Sequence, residues 1–127
     1  MKNNKFYICA HCGNIVELIQ DGGVPMFCCG QAMDELIPGV REASHEKHIP
    51  AVEVHEDRVD VNVGSVDHPM VDVHGIEWVQ LVTDKGSYRK WLSPGQAPRV
   101  SFLLQEEKPL EVYAYCNLHG LWKTELN

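Results

Sequence analysis

The alternation of hydrophobic and polar residues predicts that most of this chain folds as short β-strands. The clearest case is residues 59–63, where three valines alternate with Asp60 and Asn62 and therefore share one face of a strand. Hydrophobic clusters between turn signals predict further strands at 52–54, 76–82, 87–92, 100–104 and 110–116. No segment has a helical hydrophobic period. The second part of the chain is therefore predicted to be an antiparallel β-sandwich of about seven strands.

The first part of the chain has a different pattern. A short strand is predicted at residues 15–19, a turn at Gly22-Gly23 and a returning strand from Val24 to Phe27. So few residues bury little hydrophobic surface, so a bound metal is expected to supply folding energy. Pro38-Gly39 predicts a turn into a linker. The expected organisation is a small metal-binding domain at 1–37, a linker at 38–44 and an all-β domain at 45–127.

Composition excludes several classes of function. The 127 residues carry a formal charge of −7, and neither half of the chain is basic, which argues against nucleic-acid binding. No hydrophobic run approaches the roughly 20 residues that span a membrane. The first residues lack the apolar stretch of a secretory signal, so a cytoplasmic location is expected. In that compartment, paired cysteines are more often metal ligands than disulfides.

Four of the five cysteines form the first candidate metal site. Cys9 and Cys12 have the Cys-x-x-Cys spacing that lets two sulfurs face one ion, and Cys28 and Cys29 are adjacent. Four thiolates bind zinc or iron, and the spacing does not separate the two metals. A zinc ribbon would carry a second Cys-x-x-Cys in place of the adjacent pair. His11, which lies between two of the cysteines, is expected to be a surface residue.

This segment resembles desulforedoxin, a small protein with one iron bound by four cysteines. The matching residues are Cys9, Cys12-Gly13-Asn14-Ile15-Val16, Gly22-Gly23 and Cys28-Cys29-Gly30. The resemblance implies iron at this site, with zinc as the alternative metal. It also implies that the segment helps to form a homodimer.

The fifth cysteine belongs to a second candidate site. Cys116 and His119 form a Cys-x-x-His pair with no other cysteine nearby, so a metal bound there must find its other ligands among the histidines. His68 and His74 flank a short stretch between two predicted strands. The spacing leaves open whether His45, His48 or His55 joins them. One thiolate with several imidazoles is typical of a reactive iron or copper centre rather than a closed structural zinc site.

Residues from 45 onward resemble superoxide reductase of the neelaredoxin type, and the whole chain resembles desulfoferrodoxin, its two-iron form. The motifs are Glu46-Lys47-His48-Ile49-Pro50, Val63-Gly64-Ser65-Val66, His68-Pro69-Met70, His74 with Ile76-Glu77-Trp78, and Tyr115-Cys116-Asn117-Leu118-His119-Gly120. The resemblance implies an immunoglobulin-like sandwich. It also implies a mononuclear iron with four equatorial histidines and an axial cysteine, namely His48, His68, His74, His119 and Cys116.

The resemblance implies the one-electron reduction of superoxide to hydrogen peroxide, with a rubredoxin-like protein as electron donor. Glu46 and Lys47 are the candidate catalytic residues: Lys47 would attract the anion and Glu46 would bind the oxidised iron. Asp67 and Asp72 lie beside the ligands and depart from the family pattern there. They could alter the local potential or hydrogen bonding, so the redox tuning of the iron is the property that they put in doubt. The alternatives are an electron carrier without turnover, a superoxide dismutase and a zinc-stabilised interaction module.

Overall fold

The computed structural model describes residues 4–40 and 43–126. The chain divides into two compact units, Met1–Ile37 and Pro38–Asn127. Two residues of the predicted linker, Arg41 and Glu42, lie outside the described ranges. Within those ranges, no helix has the length and apolar character needed to cross a membrane.

The first unit is built from five short strands. Strands β1 (Lys5–Ile8), β2 (Ile15–Leu18) and β5 (Asp34–Glu35) form an antiparallel sheet in the order β2-β1-β5, and β3 (Phe27–Cys28) pairs with β4 (Gln31–Ala32). The predicted strand near residue 15 is confirmed. The predicted returning strand from Val24 is wrong, because β2 pairs with β1 and strand structure begins only at Phe27. The sequence pattern did not predict β1, whose hydrophobic residues lie directly before Cys9.

The second unit is an antiparallel β-sandwich, as predicted. A four-residue helix, α1 (His45–His48), precedes seven strands: β6 (Pro50–Val54), β7 (Arg58–Val63), β8 (Ile76–Thr83), β9 (Ser87–Trp91), β10 (Arg99–Leu103), β11 (Pro109–Cys116) and β12 (Gly120–Glu125). One sheet has the order β10-β7-β6, and the other has the order β12-β11-β8-β9. The sequence pattern missed α1, which has four residues, and β12, whose two hydrophobic residues, Leu121 and Trp122, are adjacent and do not alternate.

The core of the sandwich lies between these two sheets. Val59, Val61 and Val63 of β7 are buried on one face, as the alternation predicted, while Asp60 and Asn62 point outward. Residues of β8 and β11 complete the core from the other sheet, and Cys116 ends β11 with its side chain fully buried. The core therefore extends directly beneath the end of β11, where the second candidate site lies.

Candidate metal centres

The structure brings all four N-terminal cysteines together. Their sulfur atoms lie within 4.8 Å of one another, and the Cys12 and Cys28 sulfurs are 3.7 Å apart. Cys9 directly follows β1 and Cys12 lies in the next turn, where Gly13 donates its backbone N–H to the Cys9 carbonyl at 2.9 Å. Gly13 has a φ of +83°, a conformation that glycine adopts without steric cost. The tight turn therefore directs both sulfurs to one point.

The adjacent cysteines converge through an unusual backbone conformation. Successive side chains of an extended strand point to opposite faces, which would separate Cys28 from Cys29. Cys29 instead has a φ of +55° and is followed by Gly30 at +77°, so the chain turns back immediately after β3. This left-handed pair lets both sulfurs reach the same cluster.

The electrostatics of the four cysteines fit a bound cation. The Cys12 backbone amide donates to the Cys9 sulfur at 3.5 Å and is the main reason that the pKa of Cys9 is lowered to about 6. Side-chain hydrogen bonding to Cys12, which has the larger effect, and to Cys9 raises the pKa of Cys29 to about 12. The sulfurs therefore stabilise one another as a mixture of thiol and thiolate. A metal ion would allow all four to bind as thiolates.

At the end of the sandwich, four imidazole rings form a closed square. Neighbouring ring centroids are 4.5 Å apart for His48 and His68, 4.7 Å for His68 and His74, and 5.0 Å for both His74 with His119 and His119 with His48. Each neighbouring pair is nearly perpendicular, at 76–88°. The diagonal between His48 and His74 is 6.3 Å. The rings therefore surround one central point.

Cys116 lies next to this square and is fully buried. Its sulfur is 3.9 Å from His119 Nδ1, and it lies within 4.8 Å of a ring nitrogen of each of the other three histidines. The His119 backbone amide donates to the sulfur at 3.4 Å. An amide that donates to a metal-bound thiolate reduces the electron density that the sulfur gives to the metal.

The ring nitrogens of His48 and His68 that face the centre of the square carry no protons. His48 and His68 each direct Nδ1 to a backbone carbonyl, of Ser44 at 2.7 Å and of Pro69 at 2.6 Å, so Nδ1 carries the proton. Their Nε2 atoms then face each other as two lone pairs only 3.0 Å apart. His74 Nε2 is buried and has no hydrogen-bond partner among the described residues. Facing lone pairs and an orphaned nitrogen fit a central metal cation.

Burial keeps these histidines neutral. It lowers the pKa of His68 to about 4, and it also lowers the pKa of His48 and of His74. Neutral imidazoles are the form that binds metals, so at neutral pH no proton must be displaced from these nitrogens.

A close backbone approach brings His48 to His68. The loop after β7 wraps around the carbonyl of Glu46, which accepts the Val66 N–H at 2.8 Å and the Ser65 hydroxyl at 3.3 Å. A Cβ on Gly64 would lie 2.5 Å from that carbonyl oxygen and 2.8 Å from the carbonyl oxygen of Ile49. Only glycine therefore allows α1 to lie against the end of β7.

Glu46 and Lys47 lie on α1 beside the square. Lys47 is half-buried, and its positive charge adds to the burial effect that lowers the pKa of His48 and of His74. The charge of Lys47 therefore acts on two of the four rings. Glu46 is exposed, and its own backbone amide, with help from the Lys47 charge, holds the pKa of its carboxyl below the usual range. Glu46 is thus a carboxylate at neutral pH.

The structure resolves the choice among the remaining histidines. His55 lies on the outer face of the sandwich and contacts Asp60 at 3.1 Å and Glu53 at 3.7 Å. His45 is exposed and contacts Trp122 edge-on, with ring centroids 5.5 Å apart. His11 is exposed, as expected. Of the three candidates that the spacing left open, only His48 joins the square.

Trp122 contributes to the site in a way that sequence reasoning missed. It is a core aromatic residue, since it is 2% exposed. Its ring also lies 5.0 Å from that of His48, and its Nε1 donates to the His119 carbonyl at 3.2 Å. The carbonyls of Ser44 and Pro69 were missed as well, and backbone groups leave no signal in a sequence.

The two aspartates that depart from the family pattern have different surroundings. Asp67 accepts a hydrogen bond from Asn62 at 3.0 Å and pairs with Arg99 at 3.3 Å, both on the outer face of the sandwich. Asp72 is exposed in the loop before His74. The Asp67 carboxylate is thus held by side chains outside the square.

Comparison with known proteins covers almost the whole chain. The family model described as "Desulfoferrodoxin, N-terminal domain" matches residues 1–36, and the model described as "Desulfoferrodoxin" matches residues 40–125. The desulfoferrodoxin of Nitratidesulfovibrio vulgaris is 46% identical over 121 residues, which cover 95% of each chain. That of Syntrophotalea carbinolica is 45% identical and covers 94% of each chain.

Solved structures agree with the sequence relatives. The superoxide reductase from Treponema pallidum aligns with a TM-score of 0.81 at 38% identity, over 98% of this chain and 100% of that one. The 1Fe superoxide reductase from Giardia intestinalis aligns with a TM-score of 0.56 at 31% identity, over 65% of this chain and 98% of that one. The fold is therefore shared with both.

Proposed function

The chain belongs to the desulfoferrodoxin family, and from this premise we propose that it is a superoxide reductase with two irons per chain as cofactors. It reduces superoxide by one electron to hydrogen peroxide. One iron is held by Cys9, Cys12, Cys28 and Cys29. The other is held by His48, His68, His74, His119 and Cys116. The domain assignment that goes with this function is 1–37 for the first iron, 38–44 as linker and 45–127 for catalysis.

The observation that carries the proposal is the square of four imidazoles next to one buried cysteine. Four nitrogens and one sulfur supply five donors, and iron accepts six. When bound there, ferrous iron supplies one electron and a coordination position for the anion. A closed structural zinc site would use four donors and prefer several thiolates, so this set of residues favours a reactive centre.

Lys47 is the residue that we assign to substrate attraction. The chain carries a formal charge of −7, which repels an anion such as superoxide at long range. Lys47 is half-buried and its positive charge acts on His48 and His74, so it provides a local positive potential at the square. Its ammonium group can donate hydrogen bonds to water and so support the delivery of the two protons that peroxide formation consumes.

Glu46 is assigned to the oxidised state. Its carboxylate is exposed and lies two residues before His48 on α1, so a change of side-chain conformation would bring it toward the square. A carboxylate is a hard anionic ligand, which suits ferric iron better than ferrous iron. Glu46 would in this way occupy the remaining position after peroxide leaves.

The partners and the location are part of the proposal. We assign a rubredoxin-like protein as electron donor, a homodimer as the assembly and the cytoplasm as the compartment. The exposed hydrophobic side chains of the first unit, among them Ile19, Val24 and Phe27, support an assembly through that unit.

The test is the yield of peroxide per superoxide consumed, measured with iron-loaded, pre-reduced protein and excess reductant. A reductase gives one peroxide for each superoxide. A dismutase gives one for every two. No acceleration over the protein-free control, with both irons confirmed by metal analysis, would leave an electron carrier as the function.

A further inference from the structure

The pairing of β8 with β11 ends in the same hydrogen-bond motif at both ends. At the end near the square, Asn117 donates its backbone N–H to the Gly75 carbonyl at 3.2 Å, and its side-chain oxygen accepts the Gly75 N–H at 3.0 Å. At the far end, Asp84 donates its backbone N–H to the Lys108 carbonyl at 3.0 Å, and its carboxylate accepts the Lys108 N–H at 2.8 Å. We call each of these pairs of hydrogen bonds a clamp. In each clamp, one backbone acceptor and one side-chain acceptor close the ladder of hydrogen bonds between the two strands.

The Asn117 clamp joins the two segments that carry His74 and Cys116. Gly75 directly follows His74, and Asn117 directly follows Cys116. The regular pairing becomes irregular at this point, with a register shift between Tyr115 and Cys116. The clamp thus fixes the position of one segment relative to the other beyond the regular ladder. The Asp84 clamp does the same at an end that carries no candidate ligand.

His74 depends on such a clamp more than His48 and His68 do. The rings of His48 and His68 are each oriented by a hydrogen bond from Nδ1 to a backbone carbonyl. The ring of His74 has no corresponding hydrogen bond to a described residue, and its Nε2 has no partner there. Its position is therefore set by its backbone, which is held by the bridge to Val71 and by the clamp at Gly75.

We propose that Asn117 is a positioning residue: its side-chain oxygen holds the His74 segment in register with Cys116 so that both side chains address one metal ion. The inference rests on the proposed iron site. Gly75 is buried, so removal of the acceptor leaves its N–H without a partner and the segment must shift to reach water. Changes in groups that orient metal ligands typically weaken metal binding about 10- to 100-fold.

The experiment compares three variants with the unsubstituted protein, all loaded anaerobically with ferrous iron. Asn117→Ala removes the acceptor beside the square. Asp84→Ala removes the matched acceptor at the other end of the same strand pair. Asn117→Asp keeps an oxygen at the acceptor position, and the chain itself uses aspartate for this purpose at residue 84. Far-ultraviolet circular dichroism checks the fold of each loaded protein.

Two measurements report on the histidine and cysteine site: iron release to a competing chelator, and the thiolate-to-iron absorption of the oxidised protein. We expect Asn117→Ala to weaken iron binding there by about 10- to 100-fold and to shift the absorption band. Asp84→Ala should leave both unchanged, and Asn117→Asp should restore both. The four-cysteine iron should be the same in all proteins and serves as an internal standard.

If Asn117→Ala and Asp84→Ala retained iron at the histidine and cysteine site equally well, the proposal would be overturned. The effect of removing an acceptor would then not depend on whether that acceptor lies beside the ligands. Failure of Asn117→Asp to retain the iron would also overturn the proposal, even if Asn117→Ala does not fold. Failure of the proposed function is distinguishable, because the unsubstituted protein would then take up no iron at this site or would not reduce superoxide.

Discussion

Replacement of Gly64 by alanine tests whether the close approach of α1 to β7 builds the square. The added Cβ would lie 2.5 Å from the Glu46 carbonyl oxygen and 2.8 Å from that of Ile49. An ordinary contact begins at about 3.4 Å, so the two segments must separate by roughly 0.6–0.9 Å. Both neighbours are backbone oxygens, which cannot rotate away as a side chain would. The strain therefore falls on α1 and on His48.

The magnitude follows from this geometry. Overpacking of a tightly packed site costs about 1–3 kcal/mol, and contact with two backbone atoms favours the upper half of that range. For a unit of this size, that corresponds to a decrease in Tm of about 10–20 °C. Separation of α1 from the loop also moves His48 away from His68, whose Nε2 lies 3.0 Å from that of His48. Iron binding at the square should weaken together with stability.

The assay is thermal unfolding of the iron-loaded protein, followed by circular dichroism, together with iron release to a chelator. Gly86→Ala is the matched control, because a Cβ there meets no described atom within 4 Å and φ is not positive. It should change stability by no more than about 0.5 kcal/mol. If Gly64→Ala behaved like Gly86→Ala in both measurements, the close approach would not be what positions His48.

Three further predictions concern charge, independence of the two irons and pH. Lys47→Ile should slow superoxide association about tenfold and weaken its dependence on ionic strength in pulse radiolysis. Lys108→Ile, at the far end of β11, is the control. Equal association rates in the two variants would remove Lys47 from the mechanism. Cys12→Ser should change only the absorption of the four-cysteine iron, and loss of superoxide reduction by a chemically pre-reduced second site would contradict this. The Ser101 hydroxyl, at 2.6 Å, is the main reason that the pKa of Asp60 lies below its ordinary value of 3.8. A carboxyl group whose pKa is lowered by folding stabilises the folded state at pH values above its pKa in the unfolded chain. The urea midpoint of the unsubstituted protein should therefore exceed that of Asp60→Asn at pH 6, and the difference should shrink as pH falls below about 4. A difference that is constant with pH would mean that the Asp60 charge is not responsible.

Much of the fold could be predicted from local patterns. The alternation of valines at 59–63 identified a strand with one buried face, and the structure confirms that face. The pattern was weaker where a strand is short or lies beside ligands. β1 carries its hydrophobic residues next to Cys9, and the missing prediction of β1 led to the wrong partner for β2. A strand's partner is a property of the folded sheet, which no single segment encodes.

The sequence by itself determined the ligand types and the pairs that are close along the chain. Cys9 with Cys12, and Cys116 with His119, are three residues apart, so one turn is enough to bring each pair together. The count of thiolates at each site already separated a four-sulfur centre from a mixed nitrogen and sulfur centre. This chemistry belongs to the side chains and needs no tertiary structure.

Only the tertiary structure decided which histidines meet. His48 and His55 are seven residues apart, and nothing in their local sequence ranks one above the other. His48 enters the square because Gly64 allows α1 to approach the end of β7, whereas β6 carries His55 to the outer face beside Asp60. The backbone next to His74 is also held by a distant residue, because the Asn117 side chain accepts the Gly75 N–H from 42 positions along the chain. These contacts join residues that are far apart in sequence or lie in the backbone, so they exist only once the sheets have formed.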